Sequence, residues 1–183
     1  MTARVSSEMV LVVDIVEIHA GGLQLKLTPT AAESAALADR FGLVAVNRFA
    51  GQGRIAPNAQ GTQFHLVGNI DAVVTQECVV TRKNFEADLT VPVDRLFVTQ
   101  SDLDQDLEEV DIDAESPDEP DLILSDRIDI AAVFAEEFGL ALDPYPRAPG
   151  AQFAGFSIGE ETDAAPAEKS PFAKLATLRK KLS

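Results

Sequence analysis

Residues 63–98, QFHLVGNIDAVVTQECVVTRKNFEADLTVPVDRLFV, decide how this chain folds. The two halves, 63–80 and 85–98, are rich in Val, Ile, Leu and Phe set among polar residues, the composition of strands. Between them stands Thr81-Arg82-Lys83-Asn84, short and polar, as a turn requires. Two strands joined by so short a connection must run antiparallel, so the stretch reads as a hairpin. It also sets the expectation that successive strands pair with one another rather than through parallel crossovers.

Working outward towards the amino terminus, LVAVNRFAGQGRIA at 43–56 is a further strand, and 9–18 and 22–28 are two more. Gly21-Gly22 lies between that last pair and tolerates the positive φ angles of a tight turn, so these two are expected to form a first hairpin. Thr28-Pro29-Thr30 is expected to open a helix, with Thr28 as cap and proline in the first position. That helix should reach Phe41 and stop at Gly42, burying Ala32, Ala35, Ala36, Leu37 and Phe41.

Towards the carboxyl terminus the periodicity disappears. Residues 99–126 hold 12 acidic side chains and no basic one, the composition of a solvated loop. A second helix is expected at about 129–142, capped by Asp129 and burying Ile130, Val133, Phe134 and Phe138. Pro144, Pro146 and Pro149 end regular structure. Ser170 and Pro171 can start a last short helix with Phe172, Leu175, Leu178 and Leu182 along one side and Lys174, Arg179, Lys180 and Lys181 beside them. The expected fold is therefore α+β: an antiparallel sheet of about five to six strands, two packed helices, an acidic flexible segment and a short C-terminal helix. The expected organisation is one domain over 1–153 with its acidic loop at 99–126, then a tail over 154–183.

Charge is divided unevenly along this order. Residues 1–100 carry 10 acids and 8 bases, 101–168 carry 20 and 2, and 169–183 carry none and 5, within a total of −15 over 183 residues. Such a belt repels phosphate at long range, so nucleic-acid contact must be local, and DNA is not expected as a partner. A single cysteine, Cys78, excludes an intramolecular disulfide and suits a reducing compartment, the cytoplasm. Asp14 and Glu17 interrupt the N-terminal apolar run, and no stretch approaches the roughly 18 apolar residues of a membrane span. Neither secretion nor membrane contact is expected.

Several motifs imitate chemistry without its context. Gly155-Phe156-Ser157-Ile158-Gly159 fits a nucleophile elbow, but no strand and helix flank it, and both His19 and His65 precede Ser157 where that fold places its histidine after. Asp102, Asp104 and Asp106 open like a calcium loop, yet Leu107 takes the glycine position and Asp113 the place of the bidentate Glu. One Cys and two scattered His cannot supply a tetrahedral zinc site, so Cys78 reads as a small buried hydrophobe and both histidines as structural. No cofactor, metal or catalytic residue is expected, and the protein reads as a non-enzymatic binding protein. The candidate partner- or RNA-binding residues are Arg82 and Lys83 at the hairpin tip and Phe172, Lys174, Leu175, Arg179, Lys180 and Lys181 at the carboxyl terminus.

Three segments, in this order, resemble the YceD-like family, the large ribosomal RNA subunit accumulation proteins of bacteria and plastids. They are VVTQECVVTRKNFEADLTVPVDRLFV at 73–98, IDIAAVFAEEFGLALDPYPRAPGAQF at 128–153 and SPFAKLATLRKK at 170–181. Many relatives carry Cys-x-x-Cys at the hairpin, whereas here Thr81 stands three residues after Cys78. The resemblance implies a cytoplasmic factor supporting accumulation of large-subunit ribosomal RNA through ribosome biogenesis, with ribosomal RNA or ribosomal and assembly proteins as partners. The alternative is a protein adaptor whose closing helix docks on an RNA or metabolic enzyme.

Overall fold

The structure, a computed structural model, describes residues 9–100, 120–123 and 125–152. The chain divides into two units, Met1–Ala151 and Gln152–Ser183. The 154–183 tail, with its expected helix and the Ser157 motif, and the calcium-like aspartates lie outside the described residues.

In the first unit the elements follow as β1 (Val12–Asp14), a 3-10 turn (Ile15–Glu17), β2 (Leu23–Leu27), α1 (Ala31–Arg40), β3 (Ala45–Pro57), β4 (Gln63–Glu77), β5 (Asn84–Thr99), β6 (Asp121–Ile123), β7 (Arg127–Asp129) and α2 (Ile130–Ala141). One sheet has the order β2-β3-β4-β5-β6, and β1 pairs with β7 in a separate two-stranded ribbon. The fold is α+β with two helices, as expected. The long hairpin is also as expected, with β4 and β5 in register from Gln63 opposite Val98 to Glu77 opposite Asn84.

Strict alternation makes this sheet two-faced. Phe64, Leu66, Ile70, Ala72 and Val74 of β4 meet Val91, Val93 and Phe97 of β5 on the inner face, all buried. On β3, Val46 and Phe49 are both buried although three residues apart, which an unbroken strand forbids. The register shift between Val46 and Arg48 reconciles them: Asn47 is the extra residue, and its amide donates to Thr75 Oγ1 (2.9 Å) and Glu86 Oε1 (2.6 Å). The outer face is a polar ladder, with Gln52 donating to Asn69 and both Asn69 and Thr90 donating to Asp71. His65 belongs to it, 2.6 Å from Asp94.

Helix α2 closes the inner face. Asp129 caps it by accepting from the Ala132 N–H at 3.0 Å, as its position in the sequence predicts. The Phe134 ring lies so close over Gly51 that a Cβ there would come within 2.6 Å of it. One turn later Phe138 sits edge-on to Phe49 (5.4 Å between centroids) and Phe41 (5.7 Å), which joins α1 to the same cluster. Arg95, on the inner face of β5, reaches Glu136 (2.7 Å), Glu137 (3.1 Å) and Asp121 (3.7 Å). Partial burial opposes its charge, but the three carboxylates outweigh burial and hold its pKa above the ordinary value. Its Nε contacts are ion pairs without hydrogen-bond alignment.

Four expectations are corrected. The first two strands do not form a hairpin: the 3-10 turn redirects the chain before the glycines, so β1 pairs with β7, Val13 opposite Ile128, and β2 pairs with β3. The cap of α1 is Thr30 rather than Thr28, because Thr30 and Glu33 form a reciprocal capping box that Pro29 only precedes. The Thr30 backbone N–H bond to Glu33 lowers the pKa of that carboxyl. The buried side of α1 is Leu37 and Ala38, with Ala32 and Ala35 exposed, since the helix packs on β3 through its second half. Finally, the segment 99–126 is not wholly outside regular structure: Asp121–Ile123 forms β6, parallel to Phe97–Thr99 of β5. The sheet is thus mixed at this edge.

Replacing Gly51 with Ala forces the Phe134 ring and α2 outward, and overpacking of this kind costs about 1–3 kcal/mol. Urea denaturation of Gly51→Ala should show that loss, with a larger one for Gly51→Val.

Candidate functional site

The hairpin tip is built by its own backbone. The Cys78 N–H donates to the Lys83 carbonyl and the Arg82 N–H to the Cys78 carbonyl, each at 2.9 Å, which closes a tight loop over residues 78–83. The loop is closed by Arg82 at φ 58°, a left-handed conformation that a non-glycine residue adopts at some cost. Its side chain extends into solvent, 80% exposed, and among the described residues it makes only an exposed ion pair to Glu77 at 2.9 Å. Lys83 beside it is exposed. The sequence thus placed Arg82 and Lys83 correctly at a turn, while Cys78 stands just past the end of β4 rather than within a strand.

A second segment meets this tip. Leu142 ends α2, Asp143 Oδ1 accepts from the Tyr145 N–H at 2.8 Å, and Val79 donates its N–H to the Pro146 carbonyl at 2.9 Å. The proline-containing loop is thereby fastened to the hairpin, bringing exposed Arg147 and Tyr145 (71% exposed) to the neighbourhood of Arg82 and Lys83. Sequence reading missed both, because nothing in either segment announces the Val79–Pro146 bond.

Cys78 is covered by the same two segments. It has no exposed surface yet is not part of the contiguous core, so it is sealed by loops rather than sunk among aliphatic side chains. The Thr81 hydroxyl and the Ala148 backbone bond its sulfur, with further help from the backbone of Thr81, whose N–H lies 3.5 Å away, and of Val80. These donors outweigh desolvation and lower the thiol pKa to about 7.

Between the α1–β3 turn, the end of β4 and the proline loop lies a cleft of about 360 Å³. Phe41, Leu43, Leu142 and Pro144 give it apolar walls, and Glu77 and Asp143 add carboxylates. Gln76 also lines it. Gln76 is the one buried polar side chain among the described residues, 8% exposed, and its amide has no partner among them. A signal for it exists in the sequence: the inward row Ile70, Ala72, Val74 ends in a glutamine where alternation calls for an apolar residue.

Among the described residues no cluster of three or more His, Cys, Asp or Glu could hold a metal ion, and no helix is long and apolar enough to cross a membrane. Phe172, Lys174, Leu175, Arg179, Lys180 and Lys181 lie outside the described residues. Over residues 66–179, from β4 through the hairpin, α2 and the proline loop, the chain matches the model of the family described as large ribosomal RNA subunit accumulation protein YceD. No curated protein and no solved structure matches it.

A thiol pKa near 7 is below the unfolded value of 9.0, so between these pH values the native state holds a thiolate where the unfolded chain holds a thiol. Folding stability should therefore rise from pH 7 to pH 9 and lose this contribution as pH falls through the folded pKa. Thiolate absorbance should titrate with a midpoint near 7, and Cys78→Ala should flatten the rise in stability.

Proposed function

Because the chain belongs to the YceD family, we propose that it is a non-enzymatic cytoplasmic factor that supports accumulation of large-subunit ribosomal RNA during ribosome biogenesis. The observation that carries this reading is the family match itself, which covers the hairpin, α2 and the proline loop as one continuous segment. Its partners are ribosomal RNA and the ribosomal or assembly proteins that accompany it.

The charge distribution supports a division of labour. The sequence of 99–126, with 12 acids and no base, attracts cationic proteins and shields them from unproductive contact with RNA. The cationic groups at the hairpin tip act only at short range, because at physiological ionic strength charges are screened beyond about 8 Å. The five basic residues of 169–183 offer a second cationic segment.

A strain lacking the protein should show a reduced ratio of large to small ribosomal subunits on sucrose gradients, with precursor RNA of the large subunit accumulating or being degraded. An unchanged gradient profile would overturn the reading. Crosslinking in cells should recover RNA together with ribosomal proteins, and recovery should fall as salt is raised. Crosslinks to one non-ribosomal enzyme alone would favour the adaptor instead.

A further inference from the structure

The cleft beside the hairpin tip combines an apolar interior with an unused polar group. The Gln76 amide bonds no described residue, yet its atoms are not sealed from solvent, since Arg95 Nε is the buried side-chain polar atom without a hydrogen-bond partner among the described residues. The amide therefore faces the open cleft, and a leucine there would keep the inward row of β4 apolar. Gln76 is poised for a ligand that enters the cleft. The volume, about 360 Å³, falls at the lower end of the roughly 300–1,000 Å³ typical of small-molecule sites.

The groups at the mouth narrow the class of ligand. Arg82 lies against the cleft wall through Glu77, and Arg147 follows Pro146, another wall residue. Lys83 adjoins Arg82 in the same turn, so three exposed cations lie on the two segments that border the cleft, and the exposed Tyr145 ring makes no side-chain hydrogen bond or ring contact among the described residues. Arg82 carries a further sign of selection for binding. Glycine would occupy its left-handed backbone conformation at lower cost, yet the position holds a long cation whose one side-chain partner among the described residues is an exposed carboxylate. Cations on the segments bordering an apolar slot, with an exposed aromatic ring on one of them, match the phosphates and bases of a single strand.

We infer that the cleft receives one unpaired base of single-stranded RNA, read by Gln76, while Arg82, Lys83 and Arg147 hold the flanking phosphates and Tyr145 stacks on a neighbouring base. This deepens the proposed function and rests on it. An amide side chain pairs bidentately with the amino group and ring nitrogen of adenine, and Glu77 and Asp143 accept from an exocyclic amino group. Uracil has no such group, so an amino-bearing base is preferred.

Fluorescence anisotropy of the full chain with fluorescein-labelled 12-nucleotide oligoadenylate, oligocytidylate and oligouridylate in 50 mM KCl tests this. Oligoadenylate and oligocytidylate should bind at least threefold more tightly than oligouridylate. The dependence of log K on log salt should be shallow, with a slope near −2 for three phosphate contacts at about 0.7 each. Gln76→Leu should keep or raise the melting temperature while weakening oligoadenylate binding at least fivefold. Arg82→Gly should likewise leave melting unchanged or raised, weaken all three RNAs, and reduce the salt slope by about 0.7. Tyr145→Ala should weaken binding without changing the slope.

No RNA binding by the wild type, or full binding by both Gln76→Leu and Arg82→Gly, overturns the inference. So does competition by adenosine monophosphate as effective as that by the oligomer, which would mark a mononucleotide site, or capture of an acidic peptide in place of RNA. Failure here remains distinguishable from failure of the proposed function: strains carrying Gln76→Leu and Arg82→Gly would then show normal subunit gradients while the deletion strain does not.

Discussion

The close approach of Phe134 to Gly51 is the contact on which the remaining architecture depends. A side chain on Gly51 would lift α2 from the sheet, and with α2 would go the Phe41–Phe49–Phe138 cluster that joins α1 to β3. Because α2 ends at Leu142, its depth on the sheet also sets where the proline loop begins. That loop supplies one wall of the Gln76 cleft and part of the cover over Cys78. A single missing Cβ in β3 thus positions the groups at the far end of β4, which explains how a long hairpin and a separate helix come to share one surface.

Two faces of one sheet serve different ends. Arg95 and Gln76 interrupt the aliphatic and aromatic rows that β4 and β5 turn to the inner face, and each interruption has its own reason. Arg95 is surrounded by Asp121, Glu136 and Glu137, so its polarity fastens β6 and α2 to β5. Gln76 has no such company, which separates a residue that holds the fold together from one available to a ligand. The outer face satisfies its polar groups across strands and remains a solvated surface.

Local signals were legible and long-range pairings were not. The turn at Thr81–Asn84, the Asp129 cap and the four buried residues expected of α2 follow from spacing and capping chemistry within a few residues. The partner of β1 could not be read so, because its pairing to β7 joins positions more than a hundred residues apart and depends on a 3-10 turn without a strong signature. Strand β6 is only three residues long and is embedded in an acidic run whose composition argues against a strand. Of the tip, Arg82 and Lys83 were visible because they sit in a turn. Arg147 and Tyr145 were not, since their relation to the tip exists only through the Val79–Pro146 bond. Gln76 was visible in principle as a break in alternation.

The parallel pairing of β6 with β5 has a geometric consequence for the acidic stretch. Phe97–Thr99 and Asp121–Ile123 lie side by side and point the same way, so the chain that leaves the sheet after Thr99 rejoins it at Asp121, opposite Phe97 and two residues back along the adjacent strand. Adjacent strands are about 4.8 Å apart, and closure entropy grows only logarithmically with the number of residues enclosed. Insertions and deletions between these anchors can therefore alter how much negative charge the protein displays while leaving the β5–β6 junction in place.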